Sequence, residues 1–269
     1  MPTGIGVGIT GKVFGSQTGS STPSYSCPTV ASLEFDGLTE YGERNALSDG
    51  SPQLGVGGTG SFTMCFWIKT PTLSNQYIAK GVQTPAPSAP DANQWSLRWL
   101  GSGRISLRST GSANPSGNLD ALSDVVSAGA WHLVALVYDN TAKTVLWNVD
   151  GIQSGSTTST TNRDIVLNSL SLLYLGRDAS GSYFNGNMCH FAVFNQALTA
   201  SELIELRDNS AGKCYNNDFS FSSSLSYYLP MFNPSGVYTD PLTETVGGKD
   251  IPLLNMSATN VSSDYPSTL

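Results

Sequence analysis

The stretch from Trp131 to Asp208 does most to limit what this chain can become. It opens WHLVALVYDNTAKTVLWNVDGIQSG and closes LYLGRDASGSYFNGNMCHFAVFNQALTASELIELRD. Two apolar strand patterns meet at Asp139-Asn140-Thr141, and the second ends at Asp150-Gly151, a dipeptide suited to a tight hairpin turn. A Gly176-Arg177-Asp178 segment, another strand and one short helix follow. That helix, LTASELIELRD, begins with Thr199 and Glu202 at capping-box spacing and carries Leu203 and Leu206 as its apolar stripe. At about two to three turns it is too short to persist alone, so it must dock on a larger body.

The same grammar extends upstream. SLEFDG sets Leu33 and Phe35 against Glu34 and Asp36, and FTMCFWIK sets Phe62, Met64, Phe66 and Ile68 against Cys65 and Trp67. YIAKG is a short strand, TPAPSAPDAN a Pro-rich loop, and QWSLRWLGSGRISLRS a hairpin turning at Gly101-Ser102-Gly103. Roughly ten to thirteen strands at spacings of about 8–15 residues, with one helix, predict an antiparallel two-sheet sandwich. Three regions are expected. Residues 1–30 form an extended arm rich in Gly, Ser and Thr, and Ile5, Val7 and Ile9 alternate within it as if to add a strand to a neighbour's sheet. Residues 31–210 form the sandwich, and residues 211–269 form an extension packed on it, through SLSYYLPMFNPSG and KDIPLLNMSA. The closing SSDYPSTL reads as a loose end.

Composition narrows the partners. Charged residues are 12% of the 269, about half the usual share, so Ser, Thr, Asn and Gly must build much of the surface. The net charge is −7 and the 13 Lys and Arg form no basic run, which argues against nucleic acid and against anionic membranes. The residues after Met1 contain no apolar run of leader or membrane-span length, and the expectation is a chain made in a cytoplasm and exposed later. The four cysteines, Cys27, Cys65, Cys189 and Cys214, form no Cys-x-x-Cys pair, and Cys65 and Cys189 read as buried thiols within apolar strands.

Six elements in order resemble the laminin-G-like, concanavalin A-like jelly-roll domains. They are LEFDGLTEY at 33–41, FTMCFWIK at 62–69, WHLVALVYD at 131–139, LWNVDG at 146–151, LGRD at 175–178, and FNGN followed by AVFNQALTASEL. The resemblance spans roughly residues 31–208 and implies an all-β, two-sheet antiparallel jelly roll with one short helix. It also implies a choice of roles, because such folds serve in adhesins, matrix proteins, glucanases and virion proteins. Calcium is frequent among relatives, and Asp36, Glu40 and Asp178 are the candidate ligands here. Relatives carry acidic residues in the strand that here reads Gly186-Asn187-Met188-Cys189-His190, and Cys189 and His190 are poor ligands for a hard cation. No cofactor is therefore expected. Sugar binding on such folds uses exposed aromatics, for which Trp95, Trp99, Tyr183 and Tyr41 are the candidates.

No catalytic set stands out. A glucanase of this fold would show Glu-x-Asp-x-Glu on a central strand; Glu34-Phe35-Asp36 is followed at the third place by Leu38. His132 and His190 both lie in strand patterns and read as sheet-face side chains, and no nucleophile elbow accompanies them. Asn255-Met-Ser and Asn260-Val-Ser match glycosylation sequons at a frequency expected by chance. The expectation is a non-enzymatic virion structural protein: a capsid-decoration, fibre or tail-surface subunit. It would contact other virion subunits through its arm, form homo-oligomers and display the jelly roll to host glycans. The alternatives are an extracellular or cell-surface lectin-like adhesion module and a glycosidase.

Overall fold

The computed structural model describes residues 31–45, 54, 60–82, 94–110, 118–161, 165, 172–178, 180–209, 215, 218–231 and 250–266. The expected arm, with Cys27, and Cys214 lie outside the described residues. Fifteen strands and one α-helix occur among those described: β1 Ser32–Asp36, β2 Tyr41–Asn45, β3 Phe62–Lys69, β4 Gln76–Val82, β5 Gln94–Trp99, β6 Arg104–Thr110, β7 Leu119–Val125, β8 His132–Asp139, β9 Thr144–Val149, β10 Ile152–Ser159, β11 Leu172–Leu175, β12 Asn185–Phe194, α1 Ala200–Asn209, β13 Leu225–Leu229, β14 Leu253–Leu254 and β15 Val261–Ser262.

They form two antiparallel sheets face to face, the jelly-roll sandwich expected from the sequence. One sheet runs β10-β9-β8-β3-β12-β1-β15 with β13 added on β12; the other runs β14-β2-β11-β4-β5-β6-β7. Residues after 211 contribute to both sheets: β13 pairs with β12, β14 with β2 and β15 with β1. The turns follow their chemistry. Asp139 Oδ1 accepts the amides of Thr141 and Ala142 at 2.8 and 3.0 Å, closing the β8–β9 hairpin. Asp150 and Gly151 both sit at positive φ, 53° and 79°, as a two-residue hairpin turn with right-handed strand twist requires. The Thr199–Glu202 capping box forms as spaced, with Thr199 N donating to Glu202 Oε2 at 2.7 Å and Glu202 N to Thr199 Oγ1 at 3.3 Å.

The two sheets differ in how many faces are dry. In β3, β8 and β12 nearly every residue is buried, whichever way it points. That is the signature of strands covered on both sides. One side faces the sandwich core. On the other, Tyr215 stacks on His190 and Tyr228 at centroid distances of 5.1 and 5.0 Å, and Phe219 and Phe221 complete this aromatic layer. Leu203 and Leu206 of α1 are also buried. Cys65 and Cys189 are buried free thiols, and desolvation pushes both thiols well above the usual range. In β7 burial alternates, and in β5 and β6 Trp95, Leu97, Trp99, Ile105 and Leu107 point into the core; on the opposite side of these two strands Arg98, Arg104 and Arg108 are half-buried, while Ser96 and Ser106 are buried. A sheet with one dry face and one partly solvated face gives this pattern.

Candidate functional site

The outer face of the second sheet is therefore where solvent meets ordered strands. Its register aligns one side chain from each of six strands in a row: Glu43 opposite Tyr174, Tyr174 opposite Lys80, Lys80 opposite Ser96, Ser96 opposite Arg108, and Arg108 opposite Asp120. A second row lies beside it, with Tyr77 opposite Arg98 and Arg98 opposite Ser106. A register shift between Tyr77 and Ala79 in β4 is what lets both Tyr77 and Lys80 face outward.

Two shallow depressions of about 210 and 270 Å³ lie on this face, and Tyr77 and Arg98 line both. The first also takes Lys80, Gln94, Trp95, Ser96, Arg108 and Thr110; the second takes Asn75, Gln76, Trp99, Leu100 and Ser182. Together they make one polar groove with an aromatic wall at its middle. Lys80 Nζ and Arg98 Cζ stand 5.7 and 6.0 Å from the Tyr77 ring centroid. Desolvation, with Arg98 adding repulsion, lowers the Lys80 pKa against the attraction of Asp178. Arg98 Nε is buried without a hydrogen-bond partner among the described residues.

The Leu175–Asp178 segment continues from β11, the neighbour of β4, and Asp178 acts on Lys80 of the groove through its charge. Arg177 lies over Tyr41, Cζ 3.6 Å from the ring centroid, and pairs with Glu43 at 3.0 Å. Asp178 folds the next turn on itself: Oδ1 accepts the amides of Ser180 and Ser182, each at 3.0 Å, and Oδ2 accepts the Ser180 hydroxyl at 2.6 Å. Burial pushes the Asp178 pKa up, but these bonds and Lys80 outweigh it and hold the carboxyl below its ordinary range.

The residues singled out from sequence fare differently. Tyr183 and Tyr41 are half-buried, ring centroids 6.1 Å apart, beside Arg177 rather than among the residues that line the depressions. Trp95 and Trp99 each border one of the two depressions, yet at 1% and 0% exposed their rings are held in the core by the period of β5. The groove's own Tyr77, Lys80 and Arg98 were missed, although the same alternation in QWSLRW marks Arg98 as outward. The calcium candidates are engaged in turns. Asp36 Oδ1 accepts from the amides of Leu38, Thr39 and Glu40, while Glu40 takes the Asp36 amide and the Asn260 side chain. Asp178 serves its own turn, so calcium at any of the three would have to displace these bonds. Among the described residues no three His, Cys, Asp or Glu side chains gather as a metal site. The two sequon asparagines are likewise engaged, Asn255 Nδ2 on the Thr39 carbonyl and Asn260 Nδ2 on Glu34 and Glu40.

His132 is more than a sheet-face side chain. Its Nε2 meets Ser127 Oγ at 2.9 Å and its Nδ1 meets Asp150 Oδ2 at 2.7 Å, an ordering of Ser, His and Asp that sequence reading did not find. Asp150 Oδ1 also accepts the Leu133 amide at 2.9 Å. The carboxylate thus latches the start of β8 to the turn after β9, and the relay lies away from the groove residues.

A family model described as the Concanavalin A-like lectin/glucanases superfamily matches residues 44–204. Among solved structures, a Bacteroides ovatus protein to which carbohydrate binding has been ascribed superposes with a TM-score of 0.57 at 16% identity, over 87% of this chain and 59% of that one. The chain thus spans less than two thirds of that protein. The CBM40 of a Ruminococcus gnavus IT-sialidase, solved with α2,3-sialyllactose, gives 0.49 at 16% identity, over 67% of this chain and 98% of that one. Domain 4 of AbnA, a GH43 extracellular arabinanase from Geobacillus stearothermophilus solved with arabinotriose, gives 0.48 at 17% identity, over 65% and 75%. At these identities the likeness is one of fold. No curated protein matches the chain.

Proposed function

The chain belongs to the concanavalin A-like lectin/glucanases superfamily, and from that premise we propose that it is a non-enzymatic, glycan-binding jelly roll displayed on a virion as a capsid-decoration, fibre or tail-surface subunit. One observation carries the binding half: the register of the second sheet gathers Tyr77, Lys80, Arg98 and Arg108, all half-buried, around one groove on its outer face. The depressions lie just below the range of about 300–1,000 Å³ typical of enclosed small-ligand clefts. A shallow, open groove suits a chain of sugar rings lying along the sheet better than a small molecule swallowed whole. Tyr77 offers a ring to an apolar sugar face, and Gln94, Ser96 and Thr110 offer hydrogen bonds to hydroxyls. The carbohydrate binding ascribed to the Bacteroides ovatus protein of like fold agrees with this assignment.

The virion half rests on composition. A surface with 12% charged residues and a Gly/Ser/Thr-rich arm over residues 1–30 suit a subunit whose arm docks on its neighbours while the sandwich faces solvent. In this role the protein forms homo-oligomers, needs no cofactor and touches neither nucleic acid nor membrane.

Two measurements test the halves separately. A glycan array probed with the full chain should give saccharide hits that weaken at least about tenfold in Tyr77→Ala with no loss of thermal stability; hits that survive this change would move the site elsewhere. Mass spectrometry of purified particles should find the chain at stoichiometric copy number. Saccharide binding without incorporation into particles would assign the same groove to a cell-surface adhesion module.

A further inference from the structure

We infer that the groove selects saccharides that carry a carboxylate, as uronic and other sugar acids do, with Arg98 as the group that grips it and Lys80 beside it. This deepens the glycan-binding reading and rests on it.

The chain as a whole is acidic, with a net charge of −7 and 13 Lys and Arg. Yet Lys80, Arg98, Arg104 and Arg108 all stand on β4, β5 and β6 of this one sheet, and Arg177 stands at its end. These cations are not equally balanced. Arg177 is neutralised by Glu43 at 3.0 Å, and Arg108 is loosely paired with Asp120 at 3.9 Å. Asp178 acts on Lys80 through space without a hydrogen bond to it. Arg98 has no carboxylate partner among the described residues, and its Nε is buried with no acceptor.

Lys80 and Arg98 also share the Tyr77 ring, so two like charges are held near one another at the centre of the groove. Such an arrangement is unfavourable alone, and an anion bridging the two relieves it. A planar carboxylate fits a guanidinium through two parallel N–H bonds, and that match is stronger than any a neutral hydroxyl makes. A polyanion is disfavoured, because Asp120 and Asp178 flank the cations and the overall charge is negative. One carboxylate on an otherwise neutral ring, with that ring against Tyr77, satisfies both constraints.

The test is a glycan array carrying neutral, sulfated and carboxylated saccharides, the carboxylated ones also as methyl esters. It is probed with the full chain, with Arg98→Ala and with Lys80→Ala. The expected result is hits among the carboxylated saccharides that fall at least about tenfold on esterification and in each variant, and that weaken as salt is raised. The Lys80 variant keeps the test decisive if Arg98→Ala perturbs folding. Acid-sugar hits that survive esterification or both substitutions overturn the inference. Hits confined to neutral or sulfated saccharides also overturn it but leave the glycan-binding assignment standing. No hit of any kind overturns that assignment itself.

Discussion

Trp131 donates its indole Nε1–H to Asp264 Oδ1 at 2.8 Å, joining the head of the most informative stretch to a residue near the end of the chain. The other carboxylate oxygen pairs with Lys69 at 2.5 Å, and the Asp264 carbonyl accepts the Ser32 hydroxyl. The described part of the closing segment, through Asp264, is thus a strap across β1, β3 and the entry to β8. Burial raises the Asp264 pKa, but the bonds from Lys69 and Trp131 outweigh it and hold the carboxyl low. Asp264→Ala should destabilise the fold by about 1–2 kcal/mol, since the lost bonds are charge-assisted but partly solvent-exposed. Urea denaturation would measure it, and an unchanged midpoint would show the strap to be passive.

The Ser127–His132–Asp150 relay makes a graded prediction. Asp150 holds the Leu133 amide and the His132 ring, and does so at φ 53°, a conformation that Asp and Asn tolerate better than Ala. Asp150→Ala should cost about 2–3 kcal/mol, Asp150→Asn less, and Ser127→Ala within about 0.5 kcal/mol because Ser127 is exposed. As a latch rather than a nucleophile, Ser127 should resist labelling by a fluorophosphonate probe. Stoichiometric labelling, lost in Ser127→Ala, would make the relay catalytic and contradict the non-enzymatic proposal.

Gly186 gives the largest expected loss. It sits in β12 at φ 142°, and a Cβ there would strike the Lys69 carbonyl at the end of β3 and the Cα of the next residue, Thr70, both backbone atoms. Neither can yield without opening the β12–β3 pairing at the centre of its sheet. Gly186→Ala should cost more than about 3 kcal/mol or abolish soluble expression. A change in melting temperature of only a degree or two would mean that the strands adjust far more easily than their pairing implies.

The fold was legible where its signals are local. Alternation in β1, β5 and β6, the Asp150-Gly151 turn and the Thr199–Glu202 box each occupy a few neighbouring residues and act there. The groove was only half legible. Period two in QWSLRW gives the outward direction of Arg98, but attention to sugar chemistry goes first to Trp95 and Trp99, whose area makes them more valuable inside the core. The β5–β6 hairpin sets Ser96 beside Arg108 locally, but the place of Tyr174 beside Lys80 is fixed by register between β11 and β4, strands far apart in the chain. Nothing in the sequence around Tyr174 specifies Lys80 as its neighbour. His132 illustrates the same limit, because Asp150 reaches it only once β8 and β9 have paired.

His190 makes the fold sensitive to acid. It occupies a bulge in β12 at φ 53°, buried, with Nδ1 2.7 Å from Tyr228 Oη and its ring stacked on Tyr215. Desolvation lowers its pKa from 6.5 to about 4. The unfolded chain therefore binds this proton more tightly than the folded one, and stability must fall as pH drops from 6.5 toward 4. The full contribution is present above pH 6.5 and amounts to about 3 kcal/mol. The depressed carboxyls of Asp36, Asp178 and Asp264 add to the loss, but only as pH falls through the carboxylate range. The two sources are separable. His190→Asn keeps a residue that accepts positive φ but does not titrate, so it should lower stability at pH 7 and flatten the curve between pH 6.5 and 4.5, leaving the steeper fall below. Denaturant midpoints taken across pH 4–8 on both proteins would read this out, and parallel curves would place the acid sensitivity elsewhere.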